Sequence, residues 1–194
     1  MAVICLAAGT FLAVGLIKNR AAPGPAPTGG GAENQLAFVG NDHNIWLVSP
    51  DGENLRQLTG DGKGYSFPTW SPDGRYVAFI GPDQNRNAAL YVSSAATLSA
   101  TILFDVSDSA PFYLYWTPGG NEITFLTQET SGLAMRLAVV DMPGADRVLE
   151  QGAPFYWVWS PQGDRLLMHV GGSRAFSDEA HLSILENSDG ATRI

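Results

Sequence analysis

The stretch Phe67-Pro68-Thr69-Trp70-Ser71-Pro72-Asp73-Gly74-Arg75-Tyr76-Val77-Ala78-Phe79-Ile80-Gly81 decides the fold. A short apolar run meets a four-residue turn and leaves as a strand. Pro72 presets φ at an early turn position, and Asp73 is able to bond the backbone two residues on. Gly74 supplies the positive φ that returns the chain as a hairpin. The same chemistry recurs at Ser49-Pro50-Asp51-Gly52, Thr117-Pro118-Gly119-Gly120 and Ser160-Pro161-Gln162-Gly163.

Recurrence turns this motif into a ruler. Trp70, Trp116 and Trp159 lie 46 and 43 residues apart. A second set of segments begins at Ile45, Leu90, Leu137 and Leu182, spaced 45, 47 and 45 residues apart. Two periods near 45, each unit reading as two hairpins, predict four-stranded propeller blades. The expected blades cover residues 35–59, 65–105, 110–150 and 153–194. The first holds only three strands (Gln35–Gly40, Asn44–Ser49 and Leu55–Thr59), since no Trp-Ser-Pro inner strand precedes them. The fold expected is therefore all-β: about four blades, the first incomplete, in an open arc of a ring of six or more. Pro68, Pro111 and Pro154 stand near the starts of inner strands, where a missing N–H costs least. Trp70, Trp116 and Trp159 read as wedges between blades. The runs Phe112-Tyr113-Leu114-Tyr115 and Phe155-Tyr156-Trp157-Val158 recur at matching places, so they read as inter-blade packing in preference to a ligand surface.

These residues resemble the TolB-like, or PD40 (WD40-like), β-propeller repeats of bacteria. The signature is a Pro-x-Trp/Phe-Ser-Pro-Asp-Gly turn, an apolar strand, and a further strand ending in an Asp-Gly turn. Pro68 to Phe79 with Leu90 to Ser93 matches nearly throughout, with Trp70, Pro72, Asp73 and Gly74 in the turn. Trp116 with Pro118, and Trp159 with Pro161 and Gly163, match less strictly: Gly119 and Gln162 replace the turn's Asp, and Thr117 its Ser. The resemblance spans about residues 35–194. It implies fold more than function, because such propellers serve as translocation factors, binding modules and propeller domains of peptidases.

Ahead of the repeats, Ala2–Ile17 is sixteen residues without charge, followed by Lys18 and Arg20. Ala21–Ala32, AAPGPAPTGGGA, is a Pro/Gly linker that detaches any helix from a core. Charges directly after the apolar run favour an uncleaved signal anchor over a cleaved signal peptide. The expected order is a transmembrane anchor at 1–20, a linker at 21–34, and a propeller outside the cytoplasm, periplasmic or at the cell surface. Cys5 is the single cysteine and follows Ile4 instead of the small residue a lipoprotein signal needs. The repeat region is therefore expected to hold no disulfide and no thiolate metal site.

The chain carries a net charge of −8, and the residues after Asn34 carry −9. Such an acidic domain lacks the footprint that phosphate backbones require, so no nucleic-acid partner is expected. His43, His169 and His181 form no zinc-ligand spacing, and Gly64-Tyr65-Ser66-Phe67-Pro68 lacks the second glycine of a nucleophile elbow. Asp51, Asp73, Asp141 and Asp189 sit on separate turns, whereas calcium needs six to eight converging oxygens. No catalytic residues, metal or cofactor are expected. The reading is a non-enzymatic protein- or peptide-binding module, the alternative being the leading propeller of a longer prolyl-oligopeptidase-like serine peptidase. The polar loop Pro82–Asn87, with Asp83, Asn85 and Arg86, is the expected contact surface, and Gly171–Ala180 is a second choice.

Overall fold

The computed structural model describes residues 34–130, 132–172, 180–188 and 191–193. The expected anchor and linker, and most of Gly171–Ala180, lie outside the described residues. Fifteen strands form four antiparallel sheets. Blade 1 holds β1 (Leu36–Val39), β2 (Ile45–Val48) and β3 (Arg56–Gln57). Blade 2 runs β4 (Ser66–Trp70), β5 (Tyr76–Pro82), β6 (Ala88–Ser94) and β7 (Ala100–Phe104). Blade 3 runs β8 (Ala110–Trp116), β9 (Glu122–Glu129), β10 (Gly132–Val139) and β11 (Asp146–Gly152). Blade 4 runs β12 (Phe155–Trp159), β13 (Arg165–Val170), β14 (His181–Ser188) and β15 (Ala191–Arg193). Within each sheet the strands pair in chain order, as hairpins require.

The proline turns explain the hairpins. Gly74 N–H donates to the Ser71 carbonyl at 2.9 Å, Gly120 to Thr117 at 3.0 Å and Gly163 to Ser160 at 2.9 Å. Gly74, Gly120 and Gly163 all have positive φ, which a side chain would strain. In blade 2 the turn's polar groups are closed: Ser71 Oγ donates to Asp73 Oδ1 at 2.6 Å, and Arg75 N–H to the same oxygen at 3.0 Å. Arg75 also bonds the other Asp73 oxygen. Although partial burial opposes it, these bonds hold the Asp73 carboxyl below its usual range.

Strand alternation divides each middle blade between two neighbours. Val77 and Phe79 join Ile45, Leu47 and Leu58 between blades 1 and 2. Ala78 and Ile80, on the other face of β5, join Leu114, Trp116, Ile123 and Phe125 between blades 2 and 3. Leu126, Met135 and Leu137 then meet Phe155, Trp159, Leu166 and Met168 between blades 3 and 4. Trp116 and Trp159 are buried in these seams, and Trp70 packs half-buried at the first. Among the described residues no buried cluster joins blade 4 back to blade 1.

Register makes the repeats comparable residue by residue. Phe38 pairs with Trp46 as Phe79 pairs with Tyr91 and Phe125 with Arg136. Ala37, Ala78, Thr124 and Leu167 likewise occupy one position, paired with Leu47, Val92, Leu137 and Ile184. Phe79 and Phe125 are fully buried, yet Phe38 is 40% exposed. Leu182 and Ile184, the equivalents of buried Leu90 and Val92, are 70% and 58% exposed. Among the described residues, each end of the series thus presents an inter-blade face without a covering blade.

Candidate functional site

The inner strands β4, β8 and β12 build a concave aromatic surface. It encloses about 590 Å³ and is lined by Phe67, Phe112, Tyr113, Tyr115, Tyr156 and Trp157, with Leu126, Phe155 and Val158. Among the described residues no charged side chain lines it. One ring from each of three blades forms a row across it. Phe67 meets Tyr113 edge-on at 6.2 Å between centroids, and Tyr113 meets Trp157 edge-on at 5.5 Å. Edge-to-face pairs of this kind contribute about 0.5–1.5 kcal/mol each beyond area burial.

Local backbone irregularity aims these rings. The β4–β5 pairing skips between Ser66 and Thr69, and the β8–β9 pairing skips between Pro111 and Tyr113. Such bulges re-aim side chains. Phe67 sits at φ 53°, a left-handed conformation rare for an aromatic residue and costing on the order of 1–3 kcal/mol. A pure packing role would not need that strain, because half of the Phe67 surface faces solvent.

The two aromatic runs divide between the seams and the concavity. Leu114, Trp116, Phe155 and Trp159 are buried between blades. Phe112, Tyr113, Tyr115, Tyr156 and Val158 are exposed and line the concavity, which Phe155 and Trp157 also reach, so packing accounts for only part of each run. Polar anchors fix the seam beneath it: Trp157 Nε1 and Trp159 Nε1 both donate to Thr124 Oγ1, at 3.3 and 3.4 Å, and Thr124 Oγ1 donates to the Tyr115 carbonyl at 3.0 Å.

Asp83, Asn85 and Arg86 lie elsewhere, in the β5–β6 loop. Asp83 is buried, and its Oδ1 accepts the N–H of Asn85 at 2.8 Å and of Asn87 at 2.7 Å. Its carboxylate shapes the loop, and none of the three residues lines the concavity. Away from the concavity, in the seam between blades 2 and 3, Arg136 forms a half-buried clamp. It donates to Glu129 at 2.8 Å and to Asp146 at 2.7 Å, and lies over the Phe104 ring at 5.2 Å. The Arg136 hydrogen bond leads the causes that hold the Glu129 carboxyl below its usual range. No cluster of three metal-ligating side chains exists among the described residues. Among the same residues no helix is long and apolar enough to cross a membrane.

Comparison with known proteins places the fold. No family model matches the chain. The Tol-Pal system protein TolB of Nitratidesulfovibrio vulgaris is 43% identical over 61 residues, covering 29% of this chain and 14% of that protein. The TolB structure from Acinetobacter baumannii superposes with a TM-score of 0.57 at 13% identity, over 77% of this chain and 36% of that one. The Pyrococcus horikoshii acylaminoacyl peptidase superposes with a TM-score of 0.52 at 16% identity, over 82% of this chain and 30% of that one. The chain thus spans well under half the length of each. Its four sheets have the fold of β-propeller blades, as in the TolB structure.

Proposed function

We propose that this chain is a membrane-anchored, non-enzymatic propeller module that binds a protein or peptide outside the cytoplasm. The observation that carries the reading is the row Phe67–Tyr113–Trp157, one ring from each of three blades lining an uncharged concavity. Aromatic side chains on rigid inner strands give large contact area at low entropic cost, a common basis of binding hot spots. An uncharged lining in an acidic domain favours apolar or aromatic side chains as ligand over phosphate or nucleic acid. The anchor at 1–20 and the linker at 21–34 would hold the propeller near the membrane. Charge-reporter fusions at Ile194 test that orientation: an inward reporter overturns it.

The arc would belong to a ring of six or more blades, a reading favoured by the uncovered faces of blades 1 and 4. The peptidase likeness supports the alternative, a leading propeller whose catalytic domain lies outside this sequence. A Gly-x-Ser-x-Gly elbow encoded beyond Ile194 would favour that alternative. The binding reading is tested with an array of aromatic and proline-containing peptides, probed with the wild type and with a Phe67→Ala/Tyr113→Ala variant. Selective peptide binding weakened at least tenfold in the variant is expected. Equal binding by both proteins overturns the assignment of the concavity.

A further inference from the structure

The seams between middle blades repeat, and one departs from the other at its turn end. Between blades 2 and 3 that end is closed by apolar groups: Tyr76, whose carbonyl accepts the Ser71 N–H at 2.9 Å, packs against the same cluster as Val140. Asp73 reaches over the next turn, its Cγ 3.7 Å from where a Cβ on Gly120 would stand. Between blades 3 and 4 the same positions are polar. Glu122 holds the place of Tyr76, since its carbonyl accepts the Thr117 N–H at 3.0 Å. Asn187 holds the place of Val140: the Val140 N–H bonds the Asn121 carbonyl, as the Asn187 N–H bonds the Asp164 carbonyl. Gly119 replaces the turn's Asp, so no side chain reaches across to Gly163. The result is a pocket of about 210 Å³ between Gly119, Asn121 and Glu122 of blade 3 and Gln162, Gly163 and Asn187 of blade 4. Glu122 is only 8% exposed. One of its oxygens accepts the Asn187 side-chain N–H at 3.1 Å; the other has no hydrogen bond, and no cation pairs with the carboxylate, among the described residues. A buried charge is ordinarily paired. Asn187 is itself fixed, donating to the Gly163 carbonyl and accepting from Arg147, both at 3.4 Å.

We propose that this pocket binds a guanidinium group. Glu122 supplies the charge and an oxygen still open to a donor. A guanidinium presents parallel N–H groups that fit a carboxylate, and it is more weakly hydrated than an ammonium, so it loses less on entering a buried site. The side-chain amides of Asn121 and Gln162, both exposed, stand at the mouth to accept its remaining donors. Calcium needs six to eight converging oxygens, and this lining holds one carboxylate. The carboxylate repels anions, and the −9 charge of the residues after Asn34 favours a cation. The pocket shares no residue with the aromatic concavity, so it is a second site and does not depend on the peptide-binding reading. Both of its walls are described blades, and neither end of the series takes part.

The test titrates ethylguanidinium, with N-ethylurea as its neutral counterpart, into the full chain in mild detergent and follows the amide resonances of Gly119 and Gly163. One saturable site is expected, with N-ethylurea and calcium each binding at least tenfold more weakly. Glu122→Gln removes the charge while keeping an acceptor for Asn187, and is expected to weaken ethylguanidinium at least tenfold. Glu122→Tyr/Asn187→Val installs the pair that closes the other seam; it is expected to fold with an equal or higher melting temperature and to bind nothing. Phe67→Ala/Tyr113→Ala, confined to the concavity, is expected to bind like the wild type. No saturable binding by the wild type, equal binding of N-ethylurea, or wild-type binding by Glu122→Gln overturns the proposal. Calcium binding tighter than ethylguanidinium overturns the ligand class. The capped peptide acetyl-Gly-Arg-Gly-amide separates the sources of the group: binding tighter than ethylguanidinium upholds the site for an arginine side chain, and weaker binding upholds it for a free guanidine.

Discussion

Phe79 and Phe38 occupy the same position in successive blades, on strands that read Val77-Ala78-Phe79-Ile80-Gly81 and Leu36-Ala37-Phe38-Val39-Gly40. Blade 1 packs over the first; the second faces out. Phe79 stacks on Tyr91 at 5.3 Å and meets Tyr65 edge-on at 5.6 Å. The room for Tyr65 comes from Gly81, where an added Cβ would lie 2.2 Å from the ring. Phe38 has Trp46 as its cross-strand partner and, among the described residues, no blade beyond. The difference teaches that the repeat specifies an inter-blade face whether or not a blade covers it.

Truncating the two rings breaks or sharpens this comparison. Phe79→Ala leaves a cavity in the seam between blades 1 and 2 and is expected to cost about 3–5 kcal/mol in chemical denaturation. Phe38→Ala is expected to cost less, about 1–2 kcal/mol, because 40% of its surface stays in water on folding. Equal costs would mean that the outer face of blade 1 is covered in solution.

The fold was legible because its signal is periodic. Turn glycines and prolines mark hairpins locally, and a spacing near 45 residues counts the sheets. The concavity was not. In middle blades both faces of a strand are apolar, so alternation between Leu114 and Tyr115 does not reveal which side is covered. The bulges that turn Phe67 and Phe112 outward depend on pairing with β5 and β9, which the sequence does not print. Trp70 shows the same limit. Its motif is the best match among the repeats, and only the three-dimensional neighbours expose an indole N–H without a partner among the described residues.

A second comparison sits at the position of Trp46, Tyr91 and Arg136. The first two are aromatic; the third is a guanidinium held by Glu129 and Asp146. Arg136→Met keeps the stem over Phe104 but leaves two carboxylates without their cation. The side chains are about one-sixth exposed, so the fully buried penalty is discounted to about 1–3 kcal/mol. The loss must depend on pH. Glu129 has a folded pKa below its unfolded value, so its stabilisation is complete above the unfolded range near 4.5 and is lost as pH falls through the folded value. Denaturation midpoints measured from pH 7 down to pH 3 are expected to converge for wild type and Arg136→Met. A constant gap would show that the clamp acts by packing alone.

The indoles give a smaller, sharper contrast. Trp116→Phe keeps most of the apolar volume and removes the bond to the Thr69 carbonyl, which then lacks that donor. A loss of about 1 kcal/mol is expected, together with some cavity cost. Trp70→Phe removes an indole N–H that has no partner among the described residues, and is expected to be neutral or slightly stabilising in the free chain. Matching losses would mean that Trp70 is bonded in solution.

The smallest effect separates the turns of blades 2 and 3. Asp73 accepts from Ser71 Oγ and from Arg75 N–H, whereas the equivalent Gly119 has no side chain and its turn is held by Thr117, whose hydroxyl donates to the Glu122 carbonyl at 3.1 Å. Asp73→Ala is expected to cost about 0.5–1 kcal/mol, the net contribution of an exposed turn's hydrogen bonds. The ion pair with Arg75 adds little, since surface pairs contribute about 0–1 kcal/mol and are screened by salt. The cost is therefore expected to persist at high salt. If it vanishes there, the Asp73–Arg75 charge pair carries the turn and the Asp–backbone geometry does not, and the motif's aspartate would then matter for its charge more than for its shape.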